Sequence, residues 1–105
     1  MIPTQPYIDF AKDILHTTFN DIQLLITAFT HRSYVNEHKK TAKEHNERLE
    51  FLGDAVLELV TTRFLYDSYS EPEGILTNWR SSLVRTESIG EAASKQGFEA
   101  LLRLS

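Results

Sequence analysis

Four carboxylates recur at helical spacing in the middle of the chain. Glu47, Glu50, Asp54 and Glu58 follow one another at intervals of three, four and four residues. On a helix advancing about 100° per residue they fall near 0°, 300°, 340° and 20°, on one face. Like charges so spaced repel by a few tenths of a kcal/mol per pair. No Lys or Arg is interleaved on that face to relieve the repulsion. Oxygen ligands gathered on one helix suit hard cations, magnesium or manganese, rather than zinc. Magnesium takes one or two protein carboxylates and fills its shell with water and substrate phosphate oxygens. That is the requirement of metal-assisted phosphodiester hydrolysis, in which the ion activates water and neutralises the leaving oxygen. A solvated acidic face is the simpler account of the same spacing.

The helix that must carry these groups is predicted to run from about His45 to Tyr69, stopped by Ser70-Glu71-Pro72-Glu73-Gly74. Leu49, Leu52, Val56, Leu59 and Val60 fall between about 120° and 220°, a stripe predicted to pack into the core. Phe51 and Leu57 flank the carboxylates away from that stripe, which predicts contact with a partner subunit or another helix. Gly53 costs a helix about 1 kcal/mol against Ala and predicts a close backbone approach. Around the long helix the periodicity predicts shorter ones. One runs from about Tyr7 to His16, with Ile8, Ala11 and Leu15 on one face. A second is capped by Asn20 with Gln23 in capping-box position and buries Leu24, Leu25, Ala28 and Phe29. A third carries Leu76, Trp79 and Leu83 on one stripe. A fourth is opened by Ser88 with Glu91 and closed at Gly97. Tyr34 to Lys43 reads as a polar loop. The expected class is all-α.

The run Asn46-Glu47-Arg48-Leu49-Glu50-Phe51-Leu52-Gly53-Asp54-Ala55-Val56-Leu57 resembles the signature motif of the ribonuclease III family. Phe19, Leu24-Leu25, Ala28 and Thr30-His31-Arg32-Ser33 resemble the segment that precedes it in the family. Pro72-Glu73-Gly74, Leu76-Thr77, Arg80 and Ser82-Leu83-Val84 resemble the segment that follows. The bacterial type with a single endonuclease domain fits best. The resemblance implies an all-α homodimer that cleaves double-stranded RNA with Mg2+, Mn2+ being a possible substitute, in RNA and rRNA processing in the cytoplasm. It implies that Glu50 and Asp54 are the catalytic and metal-binding carboxylates. Glu47 and Glu73 match supporting acidic positions near the dimer cleft, and Phe51 matches an aromatic that packs across the dimer interface, where Leu57 is also expected. Glu58 has no counterpart in the pattern and reads as surface. The family completes its metal site with an Asp and, three residues later, a Glu on a further helix. None of the acids after Asp54 forms that pair. Residues 1–105 therefore read as one domain, the N-terminal part of such an endonuclease domain without its C-terminal helices, and without the double-stranded-RNA-binding domain that usually follows.

Composition narrows the alternatives. A chain of 105 residues with 41 % hydrophobic and 25 % charged residues has the profile of one globular domain. It contains no cysteine, which excludes disulfide scaffolds, thiolate metal sites and cysteine nucleophiles. No apolar run approaches the ~18–20 residues of a membrane span, and the first residues lack the pattern of a secretory signal, so a soluble intracellular domain is expected. Net charge is −4, with 11 Lys and Arg against 15 Asp and Glu, whereas freestanding nucleic-acid binders are usually basic. Lys39, Lys40 and Lys43 form the one basic cluster before the acidic helix, either RNA-backbone contacts or a solvated loop. His31, His38 and His45 lack the spacing of a zinc site. No serine has a base and orienting acid at recognisable spacing. Two functions remain: an endoribonuclease acting on double-stranded RNA, expected to be inactive as this short chain, or a non-catalytic ribonuclease III-like module for dimerisation or RNA binding.

Overall fold

The computed structural model describes residues 3–38 and 44–104. They form six helices: α1 Gln5–Asp13, α2 Ile22–Ala28, α3 Arg32–Glu37, α4 Glu47–Ser68, α5 Glu73–Leu83 and α6 Thr86–Lys95. A 3₁₀ turn follows at Phe98–Leu101. Among the described residues no strand forms beyond one isolated parallel bridge between Thr30 and Arg103. The all-α class therefore holds. No described helix is long and apolar enough to cross a membrane.

The helix ends follow local chemistry, with some departures from the sequence patterns. Asp21, not Asn20, caps α2: its carboxylate accepts from the Gln23 backbone N–H at 3.0 Å. His31 caps α3 in the same way, its Nδ1 accepting from the Ser33 N–H at 3.1 Å, so the first part of the predicted loop is helical. Ser88 lies inside α6 rather than ahead of it, and its hydroxyl donates to the Ser82 carbonyl at 2.9 Å. Gly97 does stand at the end of that segment, with φ at +79°, a conformation glycine adopts without strain.

The core joins the two ends of the chain. Tyr7, Phe10 and Ala11 of α1 meet Leu25, Ile26 and Phe29 from α2 and its C-cap, with Phe98 and Leu101 packed against them. Phe10 makes edge-on contacts with Phe29 at 5.6 Å and with Phe98 at 5.0 Å between ring centroids. The apolar stripe of α4 is not part of this core. Leu52, Val56, Leu59 and Val60 are each more than half exposed, contrary to the prediction from periodicity. Helix α5 instead packs along the other side of α4, where Leu65 is buried and Leu57, Thr61 and Thr62 are half-buried. Helix α4 is apolar on two sides, and periodicity finds both without telling which one a neighbour covers. Gly53 meets no close neighbour either: a Cβ there would have nothing within 4 Å.

Candidate active site

The acidic face is placed by Asn46. Its backbone N–H donates to the Thr30 carbonyl at 2.9 Å and its side-chain amide donates to the Ala28 carbonyl at 3.0 Å. The head of α4 is thereby fixed to the end of α2, and the Asn46 carbonyl then accepts the Glu50 N–H at 2.8 Å. The sequence offered Asn46 only as a member of the motif. A helix-preceding Asn ordinarily caps its own helix, but this one reaches back to the preceding helix instead.

The four carboxylates divide into two kinds. The outer two have cationic partners from neighbouring helices. Glu47 pairs with Arg32 of α3 at 3.1 Å, and Glu58 pairs with Arg80 of α5 at 3.3 Å. Arg80 also donates to the Thr62 hydroxyl at 2.9 Å, which locks its guanidinium along α4. The inner two, Glu50 and Asp54, have neither an ion pair nor a side-chain hydrogen bond among the described residues, and both are exposed. The relief of repulsion that α4 itself lacks comes from α3 and α5, and it stops short of the central pair.

Glu73 opens α5 and lines a cleft of about 490 Å³ with Thr62, Leu65, Tyr69 and Arg80. That cleft lies at the far end of α4 from Glu47, and α4 is 22 residues long, about 33 Å at ~1.5 Å per residue. One copy of the chain does not bring Glu47 and Glu73 together. Phe51 is 83 % exposed at the rim of a hollow of about 840 Å³ lined by Leu24, Thr27, Arg48, Leu49 and Leu52. Leu57, expected beside Phe51 on an exposed face, is half-buried on the α5 side of α4. Lys39, Lys40 and Lys43 lie outside the described residues. The histidines have structural places: His31 caps α3, His38 stacks on Tyr34 at 4.0 Å, and His45 accepts from the Glu47 N–H.

Among the described residues no group of three or more His, Asp or Glu side chains gathers as a metal centre. The unpaired central pair still fits a hard divalent cation in its donor chemistry. Both groups are carboxylates, one helical turn apart and open to solvent, and magnesium takes one or two such ligands.

An all-helical domain whose long helix exposes a central carboxylate pair between two arginine-neutralised ones defines a class of acidic-site helical domains. The comparison with known sequences gives the class its name. Residues 21–105 match the ribonuclease-III-like family model, and the chain belongs to that family. It is 49 % identical over 87 residues to ribonuclease 3 of Streptococcus gordonii, an alignment covering 82 % of this chain and 38 % of that protein. It is 49 % identical over 94 residues to ribonuclease 3 of Enterococcus faecalis, covering 89 % and 41 %. The Bacillus cereus protein gives 51 % over 88 residues, covering 83 % and 36 %. The matched region is thus about two fifths of the length of these relatives. A solved nuclease domain of ribonuclease III from Campylobacter jejuni superposes with a TM-score of 0.80 at 37 % identity, covering 93 % of this chain and 65 % of that one. That structure is described as flexible in a region involved in dimer formation.

Proposed function

We propose that this chain forms part of a magnesium-dependent endoribonuclease that cleaves double-stranded RNA as a homodimer, with Glu50 and Asp54 as metal-binding, catalytic carboxylates. The observation that carries this reading is the division of the acidic face. Arg32 and Arg80 pair with Glu47 and Glu58, while the two carboxylates between them stand exposed without a cationic partner among the described residues. Two unpaired carboxylates one turn apart repel, and a divalent cation removes that repulsion. Bound there, magnesium would supply neutralisation of the charge that develops on the phosphodiester oxygens during hydrolysis. The protein's own contribution is placement. Asn46 fixes the head of α4, and the two arginine pairs hold the flanking carboxylates away from the central pair.

The exposed Phe51 and the hollow beside it support association with a second copy, because a self-complementary patch is what a two-fold interface needs. The separation of Glu47 from Glu73 within one copy gives the same indication, since a common supporting role at one centre requires both copies. Lys39, Lys40 and Lys43, just ahead of α4, are candidates for contact with the RNA backbone.

The test is cleavage of a long RNA duplex, with magnesium, by the full-length dimeric enzyme of which this chain is proposed to form part. Glu50→Gln and Asp54→Asn should each reduce the rate by at least ~10²–10³-fold, the usual effect of removing a group that stabilises transition-state charge. RNA binding should be retained. Glu58→Gln, which removes a carboxylate already paired with Arg80, should leave the rate within a few-fold. Parental rates in either of the first two variants would remove the assignment.

A further inference from the structure

Arg103 is a partly buried cation without a counter-ion among the described residues. Its Nε and Nη2 are closed to solvent and have no hydrogen-bond partner. These two nitrogens are the side-on fork of the guanidinium, the edge whose parallel N–H groups match a carboxylate. The other arginines show what is missing. Arg32, Arg63, Arg80 and Arg85 each have a carboxylate within 4.0 Å, and Arg48, which has none, stands exposed to water. Every Asp and Glu side chain of the sequence lies among the described residues, and none of them pairs with Arg103. Guanidinium N–H groups closed to solvent and left unbonded are unfavourable, so the fork calls for an oxyanion acceptor from elsewhere.

The surroundings hold the fork in place. The guanidinium carbon sits 4.2 Å above the Tyr34 ring, which stacks on His38 on its other side. The backbone is fastened by Arg103 N–H to the Phe29 carbonyl at 2.8 Å and by the His31 N–H to the Arg103 carbonyl at 3.0 Å. The next residue in that bonded row is Thr30, whose carbonyl receives the Asn46 N–H at the head of α4. We propose that the Arg103 fork is an oxyanion site that takes a carboxylate from outside these 105 residues, tying that group to the base on which α4 stands. A carboxylate is favoured over a phosphodiester by shape and charge. A planar carboxylate needs less room at a closed edge than a tetrahedral ester with its attached chain, and one carboxylate balances the single guanidinium charge. The proposal is independent of whether duplex RNA is the substrate.

The probe is acetate, compared with chloride at matched ionic strength and with inorganic phosphate. Acetate at about five times its dissociation constant should raise the thermal unfolding midpoint of the parent protein by roughly 4–8 °C. Arg103→Met, which removes the charge, and Arg103→Lys, which keeps it without the fork, should both lose the shift. In case a variant does not fold, the Arg103 Nε–H resonance of the parent should move saturably with acetate. An equal shift in the variants, an unmoved Nε–H resonance, or a response to phosphate but not acetate would each overturn the proposal.

Discussion

Asn46 joins the acidic helix to the rest of the molecule by two bonds, to the Thr30 and Ala28 carbonyls. Asn46→Ala removes the side-chain bond and leaves the backbone one. The expected cost is about 1 kcal/mol of stability, measurable by thermal unfolding. Cleavage should fall by more than that cost implies, because displacement of catalytic groups by about 1 Å can cost ~10²-fold. Tyr7 makes a pH-dependent contribution of a different kind. Burial pushes its phenol above the ordinary value of 10.0, with Arg103 pulling it down and Tyr34 adding to the rise. Its hydroxyl donates to the Leu101 carbonyl at 2.9 Å. The folded state thus favours the neutral phenol. That contribution is complete below the unfolded value and is lost as pH rises through the raised one. Alkaline unfolding followed by tyrosinate absorbance should contain this component, and Tyr7→Phe should remove it.

Among the helices, the positions that matter for stability are those that neighbours cover. Ile26 in α2 is 1 % exposed, and Ile26→Ala should cost about 2–5 kcal/mol in denaturant unfolding. Leu59 in α4 is equally apolar and far more exposed, and Leu59→Ala in the isolated chain should change stability by less than about 0.5 kcal/mol. The contrast shows what the sequence could tell. The existence of α4, its limits to within two residues and the one-sided placement of Glu47, Glu50, Asp54 and Glu58 were legible, because spacing alone decides them. Which side of α4 is covered was not, because that depends on where α5 docks. The pairing of Glu47 and Glu58 with arginines also escaped, since Arg32 and Arg80 are 15 and 22 residues distant in sequence. The start of α2 was misplaced by one residue, because the Asp21 carboxylate caps as well as the Asn20 amide would, and α3, capped by the His31 imidazole, was partly read as a loop.

The molecule measures 52 × 27 × 23 Å, drawn out along α4 with an uncovered apolar stripe on its flank. Exposed stripes of this kind mark association surfaces, so sedimentation of the 105 residues should show self-association, and Leu59→Glu should shift the protein toward monomer. A monomer indifferent to that change would count against it. The same chain should give no detectable duplex cleavage with magnesium or manganese, because a two-metal site needs more ligands than one unpaired carboxylate pair provides. The core sets a different condition. Tyr7 and Leu101, joined by a hydrogen bond, are 94 residues apart in sequence, and the aromatic cluster spans a similar interval. Closing so long a loop has an entropic cost that only the finished cluster offsets, so the local α4–α5 hairpin can assemble well before the ends meet. During synthesis, α1 and α2 can pair through Phe10 and Phe29, but the side that Phe98 covers stays open until Phe98 has left the ribosome, and the first residues made are among the last to become fully protected.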